Sequence, residues 1–231
     1  NGGQLCLSPD YVVVPDELEE QLIARVVKEA ESMYPNITEN EDYAGVINER
    51  HFARLQNYID DAVAKGAKLT IVGAEKTRAS DDNRRMPLHI LQNVNEDMLV
   101  MHEEIFGPVL PVMTYSDVEE VPDMIEPRRN PLAMYYFGKD NREQEYLLSR
   151  VQSGGVCIND ITLHYVQEDL PFGGIGASGM GAYHGPEGFK NMSHARAIYS
   201  QTMIDVLPII GARPPFGEKF RKRITKTLGA I

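Results

Sequence analysis

Two periodicities of apolar residues alternate along this chain, and together they predict an α/β protein. From residue 109 to residue 159, short apolar runs alternate with segments whose apolar residues recur at helical spacing. The predicted strands lie at 109–114, 132–137 and 155–159, and the predicted helices between them lie at 117–125 and 142–151. Strands joined by helices usually pair in parallel. We therefore expect a parallel sheet that is covered on both faces and binds ligands at the carboxyl ends of its strands.

The first hundred residues predict similar elements with longer helices. These are a strand at 11–14, a helix at 16–33, a second helix from about 48 to Gly66, and a strand at 68–72. The polar segment 75–86 has the composition of an exposed loop.

The last forty residues change in character. The segment SHARAIYS, 193–200, alternates in the way expected of a strand with one covered face. The basic segment 217–228 is either a membrane-surface helix or a solvated arm. Its apolar stripe has only three residues, and interfacial helices need a wider apolar face, so we favour the solvated arm.

Composition and charge exclude several classes of function. The 231 residues carry a formal charge of −11, so a basic surface for nucleic acid is not expected. No apolar run is long enough to span a membrane and no secretion signal is visible, so we expect a cytoplasmic protein. The two cysteines and six histidines are too scattered for a metal site, and none is predicted.

Cys6 has the most unusual setting of the candidate reactive residues. It lies in NGGQLCLSPDYVVV, residues 1–14, where glycines and a proline punctuate the approach to a β-branched strand. A free cysteine is most often a small buried apolar residue, and Cys157, inside a predicted strand, fits that interpretation. Around Cys6, by contrast, small residues let the backbone turn so that its N–H faces a ligand, and a nucleophilic thiolate is the alternative.

Two further segments are candidates for binding. EEIFGP, 103–108, is either an exposed acidic turn or a site where a carboxylate holds a ribose diol beside an aromatic face. PFGGIGASGMGAYHG, 171–185, contains a formal G-x-G-x-x-G, but no strand precedes it, and the later glycines and proline at 181, 185 and 186 are expected to prevent a helix. We interpret it as an irregular loop that passes close to a pocket.

These three stretches, in this order and at this spacing, resemble the carboxyl-terminal half of the aldehyde dehydrogenase superfamily. The segments SGGVCIND and SHARAIY fit the same resemblance. The GMGAYHG run is similar to the class 3 branch, which includes fatty, aromatic and coniferyl aldehyde dehydrogenases.

The resemblance implies a role for each matched residue. Cys6 matches the catalytic nucleophile, whose backbone N–H forms part of the oxyanion hole. Glu104 matches the carboxylate that holds the nicotinamide ribose, and Phe106 the residue packed near the nicotinamide. Phe172 matches a residue that lines the substrate side, and Asn159 lies near the pocket, where we expect a structural role.

The implied reaction is oxidation of an aldehyde to a carboxylic acid with NAD or NADP, through a thiohemiacetal and a thioester on Cys6. The resemblance divides the chain into a catalytic domain, 1–192, and an oligomerisation strand with its tail, 193–231. The family's cofactor domain, general-base Glu and oxyanion Asn are expected upstream of residue 1. Because the reaction needs these groups, we expect that the chain oxidises no aldehyde by itself. The resemblance also implies a homo-oligomer, which is a dimer in this branch. The alternatives are a non-catalytic assembly module of the same fold and an enzyme that transfers the acyl group to coenzyme A.

Overall fold

Six strands and seven α-helices form in the part of the chain that the structure, a computed structural model, describes: residues 1–73, 84–128 and 130–229. The strands are β1 (Val12–Pro15), β2 (Lys68–Ile71), β3 (His89–Gln92), β4 (Val109–Tyr115), β5 (Ala133–Tyr136) and β6 (Gly155–Ile158). The helices are α1 (Glu19–Met33), α2 (Glu49–Ala64), α3 (Val121–Ile125), α4 (Asn141–Arg150), α5 (Gly185–Asn191), α6 (Val206–Ile209) and α7 (Glu218–Leu228). Each strand and helix predicted between residues 11 and 72 and between 109 and 159 is confirmed to within a few residues.

The larger sheet is mixed, which corrects the expectation of a parallel sheet. Its strand order is β1-β4-β3-β2, with β4 parallel to both β1 and β3. β2 pairs antiparallel with β3, the next strand along the chain. Consecutive strands can pair antiparallel by a direct return of the chain, whereas a parallel pair needs a crossover. The strands β5 and β6 form a separate parallel pair with α4 between them in sequence.

Strand β3 was not predicted, because its sequence carries no alternation. All four of its residues, HILQ, are buried. A strand covered on both faces loses the period-two signal on which a sequence-based prediction depends.

Two apolar clusters hold the larger sheet between its helices. α2 packs through Leu55 and Ile59 in one cluster, and α1 packs through Ile23 against β1 and β4 in the other. Asn48 begins α2 by accepting a hydrogen bond from the His51 backbone N–H at 3.0 Å. Leu55 lies directly against Gly107, since a Cβ at Gly107 would be 2.4 Å from Leu55 Cδ1. The contact between Leu55 and Gly107 therefore holds the EEIFGP segment against the core.

The Gly-rich segment contains more regular structure than predicted. Helix α5 begins at Gly185 with Pro186 in its first turn, so the expectation that these residues prevent a helix is wrong. Proline is tolerated there because the first-turn N–H groups have no partner within the helix. Of the predicted exposed loop 75–86, residues 75–83 lie outside the described residues, and Met86 is buried.

Residues 193–231 form a second compact unit, distinct from 1–192. The strand predicted at 193–200 does not form: within that described segment, no residue belongs to a strand or bridge, and Ile198 and Tyr199 are each 81% exposed. A strand needs a neighbour that accepts its backbone hydrogen bonds, and the alternation alone does not supply one. The basic tail contains helix α7, and no helix in the described parts of the chain is long and apolar enough to cross a bilayer.

Candidate active site

The turn that carries Cys6 is built from close backbone contacts. Ser8 N–H donates to the Leu5 carbonyl at 2.8 Å, which closes the turn, and the Cys6 side chain is exposed. Gly3 has a φ of +73°, and a Cβ there would lie 2.3 Å from the Gly107 carbonyl oxygen. Only glycine allows this approach, so the turn lies directly on the EEIFGP segment.

Asp10 joins the same two segments by a hydrogen bond. Its Oδ1 accepts from the Ile105 backbone N–H at 2.8 Å. Burial raises the pKa of Asp10 to about 6, with a further contribution from Glu104, while the Ile105 hydrogen bond and the cations Arg128 and Arg54 oppose the increase. Asp10 was not predicted as a site residue. A carboxyl four residues after Cys6, directly before the predicted strand at 11–14, was the available signal.

Ile105 separates the two predicted cofactor residues and anchors them. It is buried, and its carbonyl accepts from Arg54 Nη2 at 2.6 Å. Glu104 and Phe106 on either side are exposed, and Phe106 has a left-handed φ of +50°. The structure therefore brings an exposed carboxylate and an exposed aromatic ring onto the segment that supports the Cys6 turn.

Phe172 lies in a cluster of aromatic rings that the sequence analysis did not identify. It exchanges two 2.9 Å backbone hydrogen bonds with Tyr183. Its ring lies 4.9 Å from that of Tyr165 and 6.0 Å from that of His164, measured between centroids. Phe172 and Tyr183 line a cavity of about 350 Å³ together with the glycines of the loop. These rings lie within 20 residues of one another in an irregular segment without a regular apolar spacing, so no periodicity could reveal the cluster.

Tyr135 connects this cluster with the Cys6 turn. Its hydroxyl donates to the Leu7 carbonyl at 2.7 Å, and its ring lies 6.1 Å from that of His164. The pKa of Tyr135 is raised, first by burial and then by the thiols of Cys157 and Cys6. Burial also raises the pKa of Tyr183, with a smaller contribution from Cys6. Both phenols therefore lie in the electrostatic environment of Cys6.

His164 is buried among these rings without a polar partner. Neither ring nitrogen has a hydrogen-bond partner among the residues that the structure describes. Burial lowers its pKa, which favours the neutral imidazole at pH 7. A Cβ at Gly155 would lie 2.7 Å from His164 Cδ2, so β6 needs glycine at this position.

Asn159 and Cys157 lie at the end of β6 and within it. Asn159 Oδ1 accepts from the Gly138 N–H at 2.9 Å, and its own N–H donates to the Tyr136 carbonyl at 2.7 Å. These bonds shape the turn after the strand. Cys157 is half-buried in β6 beside Tyr135 on β5.

Comparison with known proteins decides the family. The model of the aldehyde dehydrogenase family matches residues 1–198. This chain belongs to the aldehyde dehydrogenase family. It is 44% identical over 223 residues to the "Probable coniferyl aldehyde dehydrogenase" of Caulobacter vibrioides, covering 96% of this chain and 46% of that protein. It is 41% identical over 219 residues to the coniferyl aldehyde dehydrogenase of Pseudomonas sp. strain HR199, covering 94% of this chain and 45% of that protein.

A solved structure of Staphylococcus aureus AldH in a substrate-bound state has the same fold. It superimposes with a TM-score of 0.78 at 31% identity, over 98% of this chain and 48% of the other. This aldehyde dehydrogenase chain thus spans about half the length of the relatives it matches. Within its described residues, no group of three His, Cys, Asp or Glu side chains is placed to hold a metal ion.

Proposed function

We propose that the natural polypeptide containing this chain oxidises aldehydes to carboxylic acids, with Cys6 as the nucleophile and NAD or NADP as the oxidant. One observation carries the proposal: in a chain of this family, the exposed Cys6 lies on a glycine-built turn packed on the segment that presents Glu104 and Phe106. Curated relatives named for coniferyl aldehyde support an aldehyde substrate.

The Cys6 turn has two tasks in the proposed reaction. The thiolate adds to the aldehyde carbonyl, and the Cys6 backbone N–H donates to the oxygen that becomes negatively charged. After loss of hydride the acyl group remains on Cys6 as a thioester, which water hydrolyses with the help of a general base. The general base and the side-chain oxyanion donor of the family are proposed to lie outside residues 1–231.

The residues of the EEIFGP segment fit a nicotinamide cofactor. An exposed carboxylate accepts hydrogen bonds from a ribose diol, and an exposed aromatic ring offers an apolar face; such a cofactor needs both this acceptor and this surface. When bound, the cofactor supplies a hydride acceptor. Glu104 would hold its ribose, and Phe106 would limit where its ring can lie.

The aromatic cluster favours a planar substrate. Phe172 contacts Tyr165 and Tyr183 edge to face, and Phe172 and Tyr183 line the cavity of about 350 Å³. Aromatic rings of this kind bind a flat ring by offset or edge contacts. We infer an aromatic aldehyde of the coniferyl type, in keeping with the names of the relatives.

The test compares the two cysteines as a matched pair. In the longest natural polypeptide that contains residues 1–231, Cys6→Ala should abolish reduction of the cofactor in a single turnover with an aromatic aldehyde, whereas Cys157→Ala should retain it. Glu104→Gln should leave the thiol reactive toward iodoacetamide and slow the hydride step. Faster iodoacetamide labelling of Cys157 than of Cys6 would show that the nucleophile is assigned wrongly. Full activity of Cys6→Ala would favour the non-catalytic interpretation of this site.

The fate of the acyl group separates hydrolysis from transfer. We expect the carboxylic acid as the product in the absence of coenzyme A, because the family's hydrolytic branch needs only water. Acyl-coenzyme A as the sole product when coenzyme A is supplied, with no acid formed in its absence, would instead establish the acylating alternative. The 231-residue chain by itself should oxidise no aldehyde, since general-base catalysis and cofactor positioning both contribute large factors. Turnover by that chain above its Cys6→Ala variant would contradict this expectation.

A further inference from the structure

We infer that the hydroxyl of Tyr135 is the positioning group that holds the Cys6 turn against the loop on the substrate side, and so orients the thiol. This inference rests on the proposed role of Cys6 and goes beyond it, because Tyr135 itself touches neither substrate nor cofactor in the proposed reaction. Tyr135 is at the second last position of β5, outside the three motifs that identify the family.

The first step is the hydrogen bond to the nucleophile turn. The Tyr135 hydroxyl donates to the carbonyl of Leu7 at 2.7 Å, a separation of 128 residues along the chain. Leu7 directly follows Cys6, and its side chain is 2% exposed. Leu7, the residue after Cys6, is thus held by its buried side chain and by the hydrogen bond to its carbonyl. Cys6 itself stays exposed, as does Leu5 before it.

The second step is the position of Thr162 beside the same hydroxyl. The backbone of Thr162 opposes the increase that burial causes in the pKa of Tyr135. Thr162 has a φ of +59°, which is uncommon for any residue with a side chain and strained for a β-branched one. Backbone strain of this kind persists only where the surroundings enforce it, and it concentrates at functional sites. Tyr135 therefore lies beside a strained turn in the loop that leads to Phe172, while its hydroxyl bonds the Cys6 turn.

The third step is the fixed position of the Tyr135 ring. It packs edge to face on His164 at 6.1 Å, and His164 packs on Phe172 at 6.0 Å. The His164 ring in turn packs closely against Gly155 of β6, so the ring cannot move away from Tyr135 in that direction. The hydroxyl is consequently a rigid point, supported by the same rings that line the substrate side. A rigid support is what a nucleophile needs, because a misplacement of about 1 Å can cost about a hundredfold in rate.

The variant that isolates the hydroxyl is Tyr135→Phe, which keeps the ring and its packing. The matched control is Tyr136→Phe on the same strand. The Tyr136 hydroxyl donates to the Asp140 carbonyl at 3.2 Å, and its ring packs in a different cluster with Val121 and Leu147. Both variants remove one oxygen from β5, but only Tyr135→Phe removes the link to Leu7.

We expect two effects of Tyr135→Phe in the longest natural polypeptide that contains residues 1–231. Amide hydrogen exchange of Ser8, whose N–H closes the Cys6 turn, should become about fivefold faster, the size of effect that one net hydrogen bond supplies. The single-turnover rate of cofactor reduction should fall about tenfold with the KM for aldehyde changed less than about twofold, because orientation of the nucleophile acts on the reaction step. Iodoacetamide labelling of Cys6 should change less than about twofold, since a small unselective reagent needs no oriented thiol.

Several results would overturn the inference. Unchanged Ser8 exchange and an unchanged single-turnover rate would show that the hydroxyl positions nothing. Equal losses in Tyr136→Phe would show a general effect on β5. Rapid labelling of Cys157 in Tyr135→Phe would show that the hydroxyl serves folding instead of orientation. If the wild type oxidises no aldehyde, the proposed function fails. Even then, Ser8 exchange that is faster in Tyr135→Phe but not in Tyr136→Phe would still show that the Tyr135 hydroxyl stabilises the Cys6 turn.

Discussion

At the residue scale, the carboxyl of Asp10 is partly buried and also connects two segments of the site. Its Oδ1 accepts the Ile105 N–H, and its backbone continues directly into β1. The same bond that links the Cys6 segment to the EEIFGP segment thus places a titratable group in a half-buried position. The pKa of Asp10 is raised to about 6 by that burial, above the value of 3.8 of a free carboxyl.

The Asp10 carboxyl should make the protein less stable as pH rises from about 4 to about 6. The folded state holds the Asp10 proton more tightly than the unfolded state, so the stabilisation is complete below the unfolded pKa and is lost as pH rises through the folded pKa. We expect a contribution of about 2 kcal/mol, less than the roughly 3 kcal/mol of a two-unit shift, because water still reaches part of the side chain.

Urea unfolding at pH 4 to 7.5 measures this contribution. Asp10→Asn keeps an oxygen that accepts from Ile105 and removes the charge, so its unfolding free energy should lack the decrease seen in the wild type. Asp60→Asn, at an exposed position of α2, is the control and should follow the wild type. Parallel pH curves for wild type and Asp10→Asn would contradict the prediction.

At the scale of elements, the loop around Phe172 depends on glycines that lie against backbone. A Cβ at Gly173 would lie 2.0 Å from the Gly181 carbonyl oxygen, and one at Gly174 would lie 2.1 Å from that of Ser178. Backbone atoms cannot move aside as a flexible side chain can. The Phe172–Tyr183 bridge beside them therefore has little tolerance for added atoms.

Gly173→Ala should separate the two sides of this loop and displace Phe172. We expect a loss of about 2 kcal/mol in unfolding free energy, typical of overpacking, and a raised KM for aromatic aldehydes in the natural polypeptide. Gly217→Ala, where a Cβ meets nothing within 4 Å, is the control and should change neither quantity. Thermal unfolding together with steady-state kinetics makes the comparison. An unchanged KM with Gly173→Ala would show that Phe172 does not contact the substrate.

At the scale of the whole molecule, charge and apolar exposure are unevenly distributed. Residues 193–231 contain seven Lys and Arg against two Asp and Glu, within a chain of net charge −11. The same segment exposes large apolar side chains, among them Met203 and Ile204 besides Ile198 and Tyr199. Apolar side chains exposed together on a short segment mark a surface that pairs with another chain.

We predict that the 231-residue chain self-associates through the segment 193–200. Residues 194–200 belong to no strand within the described chain, and a segment with a strand pattern but no pairing recruits another chain. Sedimentation at several concentrations should show association that Ile198→Lys weakens. Ile47→Lys, at a position 68% exposed in the first unit, is the control and should leave association unchanged. A strictly monomeric wild type would contradict the prediction, and fast hydrogen exchange at 194–199 in that monomer would show that the segment is disordered instead.

The sequence by itself determined the family, the position of Cys6 in a turn, and most helices and strands, because these depend on local signals. Helix α2 is an example: Asn48, the apolar spacing and Gly66 mark its beginning, face and end within 20 residues. The motifs around Cys6, Glu104 and Phe172 were likewise contiguous in sequence.

Only the tertiary structure decided which of these segments meet and through which side chains. Asp10 and Ile105 are 95 residues apart, and Tyr135 and Leu7 are 128 apart, so no periodicity relates them. The direction of β2 and the absence of pairing for 194–200 depend on neighbours that a strand pattern does not name. Local sequence specifies what each segment can form, whereas hydrogen bonds and burial between distant segments select what it joins.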